Sequence, residues 1–344
     1  MIRAKPLDRR ALLRVGAIGA GSCLAAGASA QQLALTGPVE IDVRAHPIAH
    51  FKVDDSALTR FGECQFRGGL ELSSRHEAFG GLSGIAMNAD GGGFLAITDV
   101  GNWFRAKIVY DKDRPTALGE CVLAPMLSSE GAPLKRTRWY DTESLCLDRG
   151  VAYVSIERVH DVMRFDWGKD GFKARGRIVP TTPGLKSLPA NRGCEAIGVA
   201  PTGSPIAGAL VAISERSGDG SQPTRGFIFT GAQRGEFSVA LKEEFDITDL
   251  AFLPGGDILL LERFYRPFRG VALRIRRVDG KSLWPGAILD GATVLEADLA
   301  CQIDNMEALG VHVTRGGEIV LTMLSDDNFS IMQRTLLLQF TLLS

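Results

Sequence analysis

Histidine is scarce in this chain, with five in 344 residues. Among His50, His76, His160 and His312 no two have the spacing of metal ligands, which argues against a zinc enzyme. No Cys-x-x-Cys pair is present, so the thiols suggest neither a metal knuckle nor a dithiol redox motif. The nucleophile elbow of serine hydrolases is missing as well: Gly81-Leu82-Ser83-Gly84 lacks the closing glycine. Gly280-Lys281-Ser282 imitates the end of a phosphate-binding loop, but Ile275 stands where its first glycine belongs. There is no excess of positive charge, since the formal net charge is −1, and nucleic acid is therefore not expected as a partner. Beyond Met1–Ala30 no apolar run approaches the length of a membrane span.

The leading segment, Met1–Ala30, reads as an export signal. Asp8-Arg9-Arg10-Ala11-Leu12-Leu13-Arg14 is a twin-arginine pattern, an apolar Gly/Ala-rich stretch runs from Val15 to Ala28, and Ala28-Ser29-Ala30 offers a cleavage site. The stretch is too short to remain as an anchor. The expectation is a folded passenger in the periplasm, cleaved after Ala30. Cleavage removes Arg3, Lys5, Arg9, Arg10, Arg14 and Asp8, which takes 39 basic and 40 acidic residues to 34 and 39, a net of −5. Cys64, Cys121, Cys146, Cys194 and Cys301 remain. Because twin-arginine passengers fold before export in a reducing compartment, most of these are expected as small buried apolar groups. One disulfide among them stays open.

What the chain does have is a phrase written five times. The copies run from Ser83-Gly84-Ile85 to Thr98-Asp99, from Glu143-Ser144-Leu145 to Ile156-Glu157-Arg158, from Glu195-Ala196-Ile197 to Ser214-Glu215-Arg216, from Thr248-Asp249-Leu250 to Leu261-Glu262-Arg263, and from Glu307-Ala308-Leu309 to Ser325-Asp326-Asp327. Their starts follow one another at a nearly even interval, and a period of roughly 50 residues marks a radial or stacked architecture. Inside each copy a short apolar run, a turn and a second run predict a hairpin, and a third run follows. The turns carry the glycines that hairpins need, as in Asp148-Arg149-Gly150 and Arg315-Gly316-Gly317-Glu318. Three or four strands per repeat is the unit of a β-propeller blade. The phrases supply five blades. The stretch from Ile41 to Leu72 holds further strand material without a phrase, and we assign it to a sixth blade closed jointly by the two ends of the chain. The expectation is thus one all-β, six-bladed propeller over residues 31–344, with five or seven blades left open.

The phrases begin and end in acid. In a hairpin the start of the first strand lies beside the end of the second, so both acids of a copy should emerge at one rim. Glu143, Glu195 and Glu307 are expected around the mouth of the central channel, with Asp99, Glu157, Glu215, Glu262 and Asp326 just outside. Crowded carboxylates repel unless something positive is near. Two candidates are available. One is arginine, since Arg158, Arg216 and Arg263 each follow an acid. The other is a bound cation, and an oxygen-only set suits calcium. A cation beside arginines would make a phosphate site. The same pattern arises if the Glu-Arg pairs only bridge neighbouring blades. Ser325-Asp326-Asp327-Asn328-Phe329 is the densest polar cluster, and it reads equally as a site or as a capped turn.

Several of these segments resemble the phytase-like family, often labelled "esterase-like activity of phytase". They are Phe79–Ile85, Ile97-Thr98-Asp99, Ser155–Arg158, Leu253–Asp257 with Leu260–Arg263, and Ser325–Phe329 with Gln333–Leu337. The resemblance spans about Phe61 to Leu343. It implies a secreted or periplasmic propeller and, by analogy with β-propeller phytases, calcium-assisted phosphomonoester hydrolysis at the channel mouth. Arg158, Arg216 and Arg263 are then the candidate substrate-binding groups. Glu143, Glu157, Glu195, Glu215, Glu262, Glu307 and Asp326 are the candidate calcium ligands. No catalytic residue is assigned. The alternative is a non-catalytic propeller that binds a small ligand or a protein partner at the same mouth. A monomer is expected.

Overall fold

The computed structural model describes residues 35–189, 192–216, 221–266 and 269–343; the expected export signal lies outside them. The regular structure of the described residues is almost all strand, in five sheets. The first blade runs outward from Leu82–Met87 through Gly93–Thr98 and Asn102–Asp111 to Arg114–Pro125, with Val39–Glu40 on its edge. The second comprises Thr142–Asp148, Val151–Ile156, Asp161–Phe165 and Arg177–Ile178. The third comprises Cys194–Val199, Leu210–Ser214, Thr224–Ile228 and Gly235–Val239, with Ile288–Leu289 added in parallel. Asp246–Phe252, Ile258–Arg266, Gly270–Val278 and Gly291–Asp298 make the fourth. The fifth is Met306–Val313, Ile319–Ser325, Thr335–Leu342, Cys64–Ser74 and Val43–Ile48.

The expected sixth blade is therefore corrected to five. The last repeat supplies only three strands of its own. Its outer edge would be left with unpaired backbone groups, and Cys64–Ser74 takes that edge, in register from Thr335 opposite Leu72 to Leu342 opposite Cys64. The stretch read as an extra blade is the outer half of an existing one.

Local chemistry explains the hairpins. Asp148 and Val151 pair across a two-residue loop, with Arg149 at φ 45° and Gly150 at φ 80°. Both central residues have positive φ, the requirement of the turn that matches strand twist. Second strands such as Gly93–Thr98 and Leu210–Ser214 are buried at every position, because neighbouring blades cover both faces. The core accordingly divides by interface. Leu95, Ile97 and Trp103 meet Leu145 and Val154 between blades one and two, while Val162 meets Ile197 and Phe227 between two and three. Val211 and Ile213 meet Leu250 and Leu260 next, followed by Leu259 and Leu261 against Leu321 and Met323. Leu324 and Leu337 meet Ile85 and Phe94 between blades five and one. Five interfaces for five blades is the packing a radial repeat requires.

Among the described residues all five cysteines are free; Cys146 is half-buried and the others are buried, so the disulfide left open above is not formed. No helix among those residues is long and apolar enough to cross a membrane.

Candidate functional site: an acid-lined channel mouth

Every innermost strand carries an irregularity at the first position of its phrase. The ladder steps from Leu82 to Gly84, from Cys194 to Ala196, from Ile247 to Asp249 and from Met306 to Ala308, and in the second blade the bulge spans Glu143 and Ser144. A bulge leaves one residue unpaired and re-aims its side chain. Ser83, Glu143, Glu195, Thr248 and Glu307 are thus equivalent, one per blade. A second set is fixed by backbone hydrogen bonds. The N–H groups of Asp99, Glu157, Glu215 and Asp326 donate to the carbonyls of Gly81, Asp141, Gly193 and Asn305, at 2.8 to 3.0 Å. Each acceptor stands two residues before its bulge.

The fourth blade departs from the reading of its letters. Asp246, two residues before the bulge at Thr248, pairs with Arg263, so Arg263 holds the place that Asp99, Glu157, Glu215 and Asp326 hold elsewhere. Glu262 falls one position earlier, opposite Ile247, and a one-residue offset sends a side chain to the other face. It is 2% exposed and accepts a hydrogen bond from Arg276 Nε at 2.9 Å. The structure therefore separates Glu262 from the acids grouped with it above.

Arg263 lies among those acids. Its guanidinium donates to Glu307 and Asn305 and stands 3.4 Å from Glu215. Arg158 and Arg216 pair with other acids. Arg158 is exposed, lies over the Tyr140 ring and pairs with Asp141 at 2.9 Å. Arg216 pairs with Asp246 and reaches the Glu244 carbonyl at 3.2 Å. Arg216 bridges blades three and four, as a packing device would, whereas Arg158 stays within blade two.

The mouth is rich in acids, and burial and mutual repulsion push their carboxyls upward. Burial pushes Asp99 up to about 7, helped by the charges of Asp141 and Asp327. Burial pushes Glu215 up to about 7 as well, against the pull of Arg263. Glu143 and Glu195 lie well above the carboxylate range, through burial and then neighbouring carboxylates, and so does Asp326. Burial raises Glu157 and Glu307, the latter despite Arg263. Asp99 Oδ1 is buried without a hydrogen-bond partner among the described residues. One oxygen each from Asp141, Glu143 and Glu157 lie within 4.8 Å of one another. An all-oxygen donor set with an orphaned carboxylate oxygen nearby fits a hard divalent cation.

Asp141 was not singled out from the sequence. A signal was present, because Asp141, Asp246 and Asn305 are polar at the same position two residues ahead of three phrases. Asp249 was also missed. It is 1% exposed and accepts from Ser144 Oγ at 2.8 Å, Leu309 N–H at 2.7 Å and its neighbour Leu250 N–H at 2.8 Å. Ser144 belongs to blade two and Leu309 to blade five, so one carboxyl on blade four ties three inner strands together. Asp249→Ala strands these donors and is expected to cost about 2–4 kcal/mol in urea unfolding, with Asp249→Asn costing less. Beyond this tie the inner strands open into a cavity of about 580 Å³, lined by Met87, Leu147, Val199, Phe252 and Val311 among others. It lies past the acid mouth and does not share its chemistry.

Five radial sheets around a carboxylate-lined channel define a β-propeller with a polar mouth. The chain belongs to the phytase-like family, whose model, described as "Esterase-like activity of phytase", matches residues 77–329. A search of curated proteins finds no match. Among solved structures, the Myceliophteria thermophila Cps50 (Swd1) β-propeller domain is 9% identical, with 86% of this chain and 99% of that one covered and a TM-score of 0.39. A GH43_1 enzyme from Xanthomonas citri is 9% identical, with 76% and 88% covered and a TM-score of 0.43. A chain of the S. cerevisiae Dbp5 complex with Nup159, Gle1, IP6 and ADP is 12% identical, with 83% and 96% covered and a TM-score of 0.38.

Proposed function

We propose that this protein is a phosphoric-ester hydrolase that works with calcium at the acid mouth of its channel. The observation that carries the proposal is the crowd of half-buried carboxyls at the mouth, with one oxygen each of Asp141, Glu143 and Glu157 within 4.8 Å of one another. Asp141, Glu143 and Glu157 are the residues that would hold the ion, with Glu195 and Asp99 beside them. Bound calcium offsets carboxylate repulsion and withdraws charge from a phosphoryl oxygen. Arg263 steadies Glu215 and Glu307, and Arg158 touches the same cluster through Asp141, which it would share with the ion.

The inner-ring hydroxyls are committed elsewhere: Ser83 Oγ donates to Thr142 O at 2.7 Å and Thr248 Oγ1 to Met306 O at 3.2 Å. Neither is placed as an activated nucleophile, so the ester would be attacked by water. The same observation favours the second reading, a propeller that binds a ligand at the mouth without turning it over. Release of p-nitrophenol from p-nitrophenyl phosphate, with calcium and with chelator, separates the two. Hydrolysis that needs calcium and is lost in Glu157→Gln is expected; no release in either condition leaves the binding reading. The twin-arginine segment supports the periplasm as the compartment, which the mass of the mature N-terminus tests, and a monomer remains the proposed state.

A further inference from the structure

We propose that the esters accepted at this mouth join one phosphate to an apolar alcohol, aryl or alkyl, and that the loop 327–333 seats the alcohol. This deepens the phosphoesterase reading and rests on it.

The first ground is the set of cations. Around the mouth several cations are already set against acids: Arg263 against Glu215 and Glu307, Arg158 against Asp141, Arg216 against Asp246, and Arg334 against Glu71 and Asp304. Lys135 faces Asp99. A single phosphate can be balanced by an ion held on carboxylates. Each further phosphate on the same substrate would add charge beside Asp99, Glu143, Glu157 and Glu195 and be repelled by them.

The second ground is the loop between Ile319–Ser325 and Thr335–Leu342. It begins with the ring residue Asp326 and carries Ile331 and Met332, both almost wholly exposed. Two consecutive large apolar side chains, two and three residues beyond Phe329 and 101% and 86% exposed, have a use if they receive an apolar group. The loop is held in place rather than free. Asp327 Oδ1 accepts from Gly81 N–H at 2.9 Å and Phe329 N–H at 3.0 Å, and Thr335 Oγ1 donates to Oδ2 at 2.8 Å. Met332 N–H donates to Ser330 Oγ at 3.2 Å. Asn328 and Phe329 both adopt left-handed φ, 48° and 50°, a costly conformation for a bulky aromatic. The Phe329 ring then lies against Gly80 and Gly81, and a Cβ on Gly81 would strike both that ring and Asp99 Oδ1. The apolar loop thus abuts an acid of the outer ring.

The test compares naphthyl phosphate, glycerol phosphate and inositol hexakisphosphate as substrates in calcium, for the native protein and for the double variant Ile331→Ser, Met332→Ser. Both positions are exposed, so melting is expected to be unchanged. A kcat/KM roughly tenfold higher for the naphthyl ester is expected, lost in the double variant through KM, with glycerol phosphate unaffected. Preference for the hexakisphosphate, or a naphthyl preference untouched by the double variant, overturns the inference while leaving the phosphoesterase reading intact. If none of the three is hydrolysed, that reading falls. Calorimetric titration with naphthylphosphonate in calcium then decides the rest: binding weakened by the double variant keeps the apolar seat, and absence of binding ends it.

Discussion

Replacing Arg263 by methionine is expected to destabilise the protein by about 1–3 kcal/mol near neutral pH, below the range for a fully buried ion pair because the guanidinium is only half-buried. Arg263 stands on the ring of outer acids, against Glu307, Glu215 and Asn305. Methionine keeps much of the length and volume, so the loss reports charge rather than a cavity. Without the guanidinium, Glu215 and Glu307 stay crowded by the other carboxyls, and their protons are held still more tightly. The loss should therefore shrink as the pH falls, because protonated carboxyls no longer need a counter-charge. Urea unfolding at about pH 8 and about pH 5 measures this. An equal loss at both would mean that Arg263 acts through packing alone.

The second large effect is a stability that falls with rising pH and returns with calcium. Asp99 and Glu215 are raised to about 7 in the folded protein. Between the ordinary carboxylate range and about pH 7 the folded state holds more protons than the unfolded one, so stability from these groups is full below that range and is lost as pH rises through 7. Each tenfold difference in proton affinity between the two states corresponds to about 1.4 kcal/mol, less where the channel admits water. In chelator, melting should therefore drop from about pH 5 to about pH 8. Calcium needs the deprotonated form, so its stabilisation should appear over the same window and reach about 2.7 kcal/mol when free ion is a hundredfold above the dissociation constant. Glu157→Gln removes a donor from the Asp141, Glu143 and Glu157 trio and should erase most of the calcium-dependent rise. Melting that ignores calcium and chelator at every pH would mean that the acids are held by arginines and protons alone.

Legibility differed sharply between elements. Hairpins were visible because a two-residue turn such as Arg149-Gly150 and an apolar run such as Ile258–Leu261 are local facts. The number of blades was not, because it depended on whether Cys64–Ser74 found partners of its own or joined Thr335–Leu342 from the far end of the chain. At the mouth, Glu143, Glu195 and Glu307 occupy equivalent bulges, as the repeated phrase suggested. Glu262 does not share that rim, since the register of the fourth hairpin puts Arg263 there. Asp249 gave no signal in its own strand; its partners come from two other blades.

The sequence by itself determined a repeat of acid-flanked hairpins, and with it an all-β radial fold whose acids recur at one rim, because turn chemistry, strand alternation and period are properties of neighbours along the chain. Tertiary structure alone decided that five blades suffice, that one arginine replaces an acid in the ring, and that the carboxyls are crowded together and partly withdrawn from water. Each of these depends on ladder register and on burial by distant strands, and a shift of one residue or the approach of one more carboxylate reverses the outcome without changing a letter.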